Sequence, residues 1–273
     1  MTASQLDNWL GSVRTERMPV LFIGHGSPMN AIEDNLFTRE IRRQGAELSP
    51  PSAILCVSAH WETRGTFFTA MERPRTIHDF GGFPEALYQV QYPAPGMPEL
   101  AATGAALTHG GIDTEHWGLD HGAWSVLKHL APNADIPVVQ MSLDRGKSPA
   151  EHLEVARQLA DLRRRGVLVV GSGNMVHNLG RVDWNRLNEV GYAFDWAEEA
   201  RSLLMDRVRN HKLDELANYA RLGTAVQHAV PTPEHFLPLL YALALREPDE
   251  SLEVFNDYAL AGSLTMTSVA LGA

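Results

Sequence analysis

The stretch VLFIGHGSP, Val20 to Pro28, runs four apolar residues into Gly24 and then sets an imidazole, His25, between two glycines. Such an unbroken apolar run fits a strand buried on both faces, as in a parallel sheet covered by helices. AILCVSA (Ala53–Ala59), IPVVQMSL (Ile136–Leu143) and VLVVGSGN (Val167–Asn174) have the same character, and GTFFTAM (Gly65–Met71) reads as a further strand. Helical patterns lie between them: around Asp34–Glu47, along ELAATGAALTHGG from Glu99, and along HGAWSVLKHL from His121. Ser148, Pro149 and Glu151 form a capping-box start for a helix expected to run to Gly166, with Arg163–Arg165 at its negative dipole end. Two helices are expected between Phe194 and Leu222, and another capped by Thr232 with Pro233 at its first position. LEVFNDY and SLTMTSVAL close the chain as two strands. This alternation predicts an α/β fold: a single domain over residues 19–273 with a central mostly parallel sheet flanked by helices, preceded by a polar segment, residues 1–18.

Bulk chemistry removes several classes of function. A net charge of −10 argues against a nucleic-acid-binding surface or a polybasic membrane patch. The single cysteine, Cys56, lies in an apolar run, which excludes a disulfide framework and a thiolate zinc cluster. The start of the chain lacks the pattern of a secretory signal, and no run of about 18 apolar residues exists, so a soluble, cytoplasmic protein is expected. G-x-S-x-G, H-E-x-x-H and P-loop patterns are missing, and GSGN at Gly171 is not a dinucleotide fingerprint.

Histidine placement is the informative signal. Three apolar strands each deliver an imidazole at or just beyond the carboxyl end: His25, His60 in SAHW, and His177 in MVHN. That edge is where ligands bind in open α/β sheets. A lone histidine beside glycines also serves as a turn or core residue, and GHGS alone suits a backbone anion turn; three such placements favour a metal or acid–base site. His121 in DHGAW and His235 in PTPEHF sit at helix starts, where pairing with Asp120 or ordinary first-turn roles are the plain alternatives. His109, His129, His152 and His211 fall on polar helical or turn stretches and read as solvated. The Gly-, Pro- and aromatic-rich stretch Arg73–Pro98 reads as an ordered functional loop, in which His78, beside Asp79 and Phe80, is either a substrate contact or a packing residue.

GHGSPM, SAHWE, DFGGFPEALYQVQYPAPG, LDHGAW, GSGNMVHNL and PTPEHFLPL, in this order, resemble the class III extradiol ring-cleavage dioxygenases, closest to the 4,5-DOPA branch. The resemblance covers Pro19 to the C-terminus. It implies a metal held by His25, His60 and His235, with His177 as the acid–base residue and close enough to bind the metal in a resting state. It also implies that His121 hydrogen-bonds substrate or oxygen. His235 stands where related protocatechuate-type enzymes carry glutamate. Neighbouring Glu234 would point about 100° away on a helix, so one of the two faces the metal, and His235 is the expected one. The implied partners are a small catechol, L-DOPA or similar, and O2, with a ring-opened semialdehyde as product. His78, Phe80 and Tyr88 are expected ring contacts. Fe(II) is the cofactor expected for activity, and Zn2+ is an expected occupant of purified protein, since it binds the same donors more tightly. Two other classes remain: a zinc-dependent hydrolase on the same histidines, and a non-enzymatic metal-binding or signalling protein of this fold. His177 and His121 favour catalysis, because a scaffold needs neither.

Overall fold

A computed structural model describes residues 16–187 and 189–273, so most of the polar segment at 1–18 lies outside the described residues. The chain begins with strand β1 (Val20–Gly24), helix α1 (Leu36–Glu47), the long β2 (Ala53–Thr63) and β3 (Phe67–Thr69). The short α2 (Glu85–Tyr88), α3 (Pro98–Thr108), β4 (Gly111–Asp113), α4 (His121–Leu130), β5 (Val138–Asp144), α5 (Pro149–Arg157) and β6 (Val167–Gly173) follow. A helical stretch, α6 (Asp195–Arg209), α7 (Leu213–Ala217), α8 (Thr224–Ala229) and α9 (Leu237–Ala244), leads into β7 (Leu252–Phe255), β8 (Ala259–Leu260), β9 (Leu264–Thr265) and β10 (Ser268–Leu271).

Eight strands form one sheet in the order β4-β3-β5-β2-β6-β1-β10-β7, while β8 and β9 pair apart from it. The centre, β5-β2-β6-β1, is parallel throughout, as the apolar runs require. Its flanks are antiparallel: β3 against β5, and β10 against β1 and β7. Alternate side chains serve two cores. Leu55, Val57 and Val169 pack with Leu153, Leu204 and Leu240 on one face, and Ile54, Leu168 and Val170 with Phe37, Ile41 and Trp124 on the other. Cys56 is fully buried within the sheet, and burial pushes its thiol well above the ordinary range. Among the described residues, no helix is long and apolar enough to cross a membrane.

Several local expectations change. The capping box at Ser148 and Glu151 is present, but the helix stops at Arg157 and a separate 3-10 turn, Ala160–Arg165, leads to left-handed Gly166. The three arginines do more than complement a dipole. Arg163 is only 1% exposed and binds Met18 O at 2.7 Å, Leu245 O at 2.6 Å and the Glu250 carboxylate. His129 and His152 are buried rather than solvated, on Asn30 O at 2.7 Å and Tyr241 Oη at 2.9 Å. The last two expected strands resolve into four, and the three-residue β4 is an addition.

Helix α9 starts at Leu237 and not after Thr232. A helix from Pro233 would need an amide hydrogen on Pro238 to reach the Glu234 carbonyl, and proline has none, so Pro238 falls in the first turn instead. Residues 232–236 become a turn that rests on the end of β6, where Asn174 N donates to His235 O at 2.8 Å. A Cβ on Gly173 would lie 2.2 Å from that carbonyl, and one on Gly171 would lie 2.4 Å from Pro238 O. The glycines let the turn approach the strand. Gly173→Ala is therefore expected to lower unfolding free energy by about 1–3 kcal/mol in urea denaturation. Gly81→Ala, where an added Cβ meets nothing within 4 Å, should stay within about 0.5 kcal/mol.

Candidate active site

His25 directly follows β1, and its amide still donates to Gly173 O at 3.0 Å, extending the β1–β6 pairing. Gly26, at φ +62°, then turns the chain away. The ring is 2% exposed, and its Nδ1 lies 3.0 Å from Ser172 Oγ. Ser172 has one hydroxyl proton and gives it to Gly122 O at 2.6 Å. Toward His25 it can therefore only accept, which puts the imidazole proton on Nδ1 and leaves the Nε2 lone pair free.

His60 lies inside β2, three residues before its end, where the sequence pattern placed the strand terminus earlier. Pairing with β5 shifts register between Val57 and Glu62, and this irregularity carries His60 to the site. Ser58 Oγ accepts from His60 N at 3.2 Å and donates to Asp120 Oδ1 at 2.7 Å. A side chain on Gly122 would collide with the ring, its Cβ 2.7 Å from His60 Cδ2. His60 Nε2 then lies 3.2 Å from His25 Nε2. His235, on the turn before α9, has Nδ1 3.4 Å from Glu234 Oε1. The donor atoms of His25, His60 and His235 all fall within 4.8 Å of one another.

The other two imidazoles flank this set. His177 follows β6 and is anchored by its amide to Ala229 O at 2.8 Å. Its ring stacks on His235, centroids 3.6 Å apart and planes at 5°, and it is not part of the three-donor group. His121 is the first residue of α4, whose cap Asp120 accepts from Ala123 N at 3.0 Å. Its ring centroid is 3.9 Å from that of His60. Asp79 joins this side, and His60, Asp79 and His121 make a second group of donor atoms within the same 4.8 Å limit.

The aromatic loop closes over the His121 side. Phe80 meets the His121 ring edge to face at 5.6 Å, and Tyr88 packs on Phe80 at 5.2 Å. His78 contacts Val90 O through Nε2 at 2.9 Å and packs against Trp124 at 5.5 Å, so it holds the loop together one layer behind Phe80. Of the three expected ring contacts, Phe80 is the one set against the histidine cluster.

Residues 19–271 match the family described as the catalytic LigB subunit of aromatic ring-opening dioxygenase. The chain belongs to this family. It is similar to the 4,5-DOPA dioxygenase extradiol of Escherichia coli K12, at 46% identity over 94% of this chain and 95% of the relative. The protein of the same name from Beta vulgaris is 35% identical over 86% of this chain and 90% of its own length. The crystal structure of an uncharacterized Escherichia coli K12 protein superposes with a TM-score of 0.80 at 41% identity, covering 93% of this chain and 99% of that one. The enzyme is thus an extradiol ring-opening dioxygenase, 4,5-DOPA dioxygenase-like.

The dioxygenase's own residues fit a divalent first-row ion. Burial, then mutual proximity, pushes His25 and His60 well below the ordinary imidazole range and brings His177 to about 3. Burial also lowers His235, against the opposing pull of Glu234. These four imidazoles are therefore uncharged at neutral pH, with lone pairs available. Three imidazole donors suit Fe(II) and Zn(II) alike. Glu234 would support His235 from behind: burial raises its carboxyl, but His235 and Thr232 outweigh that and hold it at about 2.

Sequence reading missed Ser172, Ser58 and Asp79. The first two lie inside apolar strands, where an isolated serine reads as filler. Asp79 adjoins a histidine that was noticed, but nothing in the sequence says which imidazole it faces. Ser172→Ala removes the group that fixes the His25 tautomer and is expected to weaken Zn2+ or Fe(II) affinity about 10–100-fold in a chelator competition titration.

Proposed function

We propose that this dioxygenase opens the ring of a small catechol, L-DOPA or a close analogue, beside the diol, inserting both atoms of O2 to give a semialdehyde. The carrying observation is the arrangement of five clustered imidazoles, three buried and two half-buried. Three, His25, His60 and His235, present donors to one point, while His177 and His121 flank them. Fe(II), held by those three, would supply the redox chemistry that O2 activation requires and Lewis acidity toward the catechol oxygens.

The protein's part is proton handling and shelter. His177 is uncharged at neutral pH, so it can take a phenolic proton and later return one as the ring opens. His121, on the opposite flank, can hydrogen-bond a substrate or oxygen atom. Phe80 gives the aromatic ring an apolar wall and excludes water from that side. His78 and Tyr88 keep Phe80 in place, which makes them indirect contributors.

Anaerobic reconstitution with Fe(II), followed by L-DOPA and air, should give a yellow product with one O2 consumed per catechol, and zinc-loaded protein should give none. Absence of O2 uptake with every catechol tried would sink the assignment. His177→Ala should keep metal and lose turnover by at least about 100-fold. If it strips the metal as His25→Ala does, His177 belongs among the ligands.

A further inference from the structure

Asp79 lies between two residues of the aromatic wall, yet its carboxylate faces the imidazoles. The preceding backbone is firmly placed. Ile77 N donates to Leu119 O at 2.7 Å, Trp124 Nε1 donates to Ile77 O at 2.8 Å, and Tyr92 N donates to Thr76 Oγ1 at 3.0 Å. Gly118 lets this strand-like segment approach, since a Cβ there would lie 2.3 Å from Arg75 O. The loop thus delivers Asp79 to the start of α4, where a carboxylate also suits the helix dipole.

Oδ1 of Asp79 accepts the His121 main-chain N–H at 2.8 Å. Oδ2 lies 3.0 Å from His121 Nδ1 and 3.7 Å from His60 Nδ1. His121 is 7% exposed, and among the described residues its Nδ1 has no well-aligned hydrogen bond, so this carboxylate is the acceptor within reach of a proton there. Catalytic hydrogen bonds of this kind often reach their best alignment only in the substrate complex. A proton on Nδ1 leaves the His121 Nε2 lone pair for the cavity.

We infer that Asp79 is a positioning residue for ring opening: through the loop that covers the substrate, it sets the orientation and tautomer of His121. The inference rests on the ring-opening function proposed above. It links two events that adjacent residues control, since Phe80 meets the ring while Asp79 meets the imidazole. A second metal ion on His60, Asp79 and His121 is the competing arrangement. The 3.0 Å contact is already a hydrogen-bond distance, and His60 Nε2 already faces the first donor set.

Asp79→Asn separates positioning from mere structure, because asparagine keeps an acceptor for the His121 main-chain N–H but withdraws the charge. Expected is a kcat reduced about 30-fold or more, with KM and iron content within about threefold of wild type and partial recovery in Asp79→Glu. Ring 15N resonances of zinc-loaded protein should show His121 as the Nδ1–H tautomer in wild type and not in Asp79→Asn. These resonances decide the inference even if no catechol is turned over, so its failure is separable from failure of the ring-opening function. Wild-type kcat or an unchanged tautomer in Asp79→Asn would overturn it. Iron lost in step with activity, or two zinc ions per wild-type chain, would overturn it as well.

Discussion

Four adjacent parallel strands, β5, β2, β6 and β1, must all end on one edge of the sheet, and the whole site hangs from that constraint. His25 and His60 come from strands separated by β6, so their backbones are two strand spacings, roughly 10 Å, apart. Their Nε2 atoms nevertheless meet at 3.2 Å, over the end of β6. The sequence of that end, Gly171-Ser172-Gly173, makes the meeting possible. The two glycines admit the His235 turn and α9 on one face, while Ser172 braces His25 against Gly122 on the other. One short strand end thus spaces, orients and packs the proposed ligands.

The parallel centre was legible because both-face burial leaves a plain mark: unbroken apolar runs in β1, β2, β5 and β6. The antiparallel flanks were not, since β10 and β3 are apolar too and direction follows from connections. Residue types marked the histidines, but not what stands behind them. His60 sits at a register shift that no local pattern encodes. The Thr232 cap failed because Pro238, six residues on, has no amide hydrogen to let the helix begin there. Arg163 read as a cation at a helix's negative dipole end, because Glu250, which pairs with it, is 87 residues away.

Packing His25, His60, His177 and His235 together carries an electrostatic cost that the fold avoids by keeping these four uncharged. His177 and His235, stacked at 3.6 Å, could not both carry protons without strong repulsion. The same neutrality that makes burial tolerable makes the cluster a metal-binding environment. Structure and chemistry are satisfied by one protonation state. Asp79 sets a carboxylate between His60 and His121, and burial, which raises it, is outweighed there by His121.

A ring-opening dioxygenase handles O2 at its own centre, and Cys56 bears on how it endures stray oxidants. Oxidative damage to thiols runs through the thiolate and needs access. Cys56 has neither: it is 0% exposed in the middle of β2 and its proton is held more tightly than usual. With no second cysteine in the chain, a disulfide within it cannot form. The chain's single thiol is thus kept out of reach of oxidants by the same burial that builds the sheet.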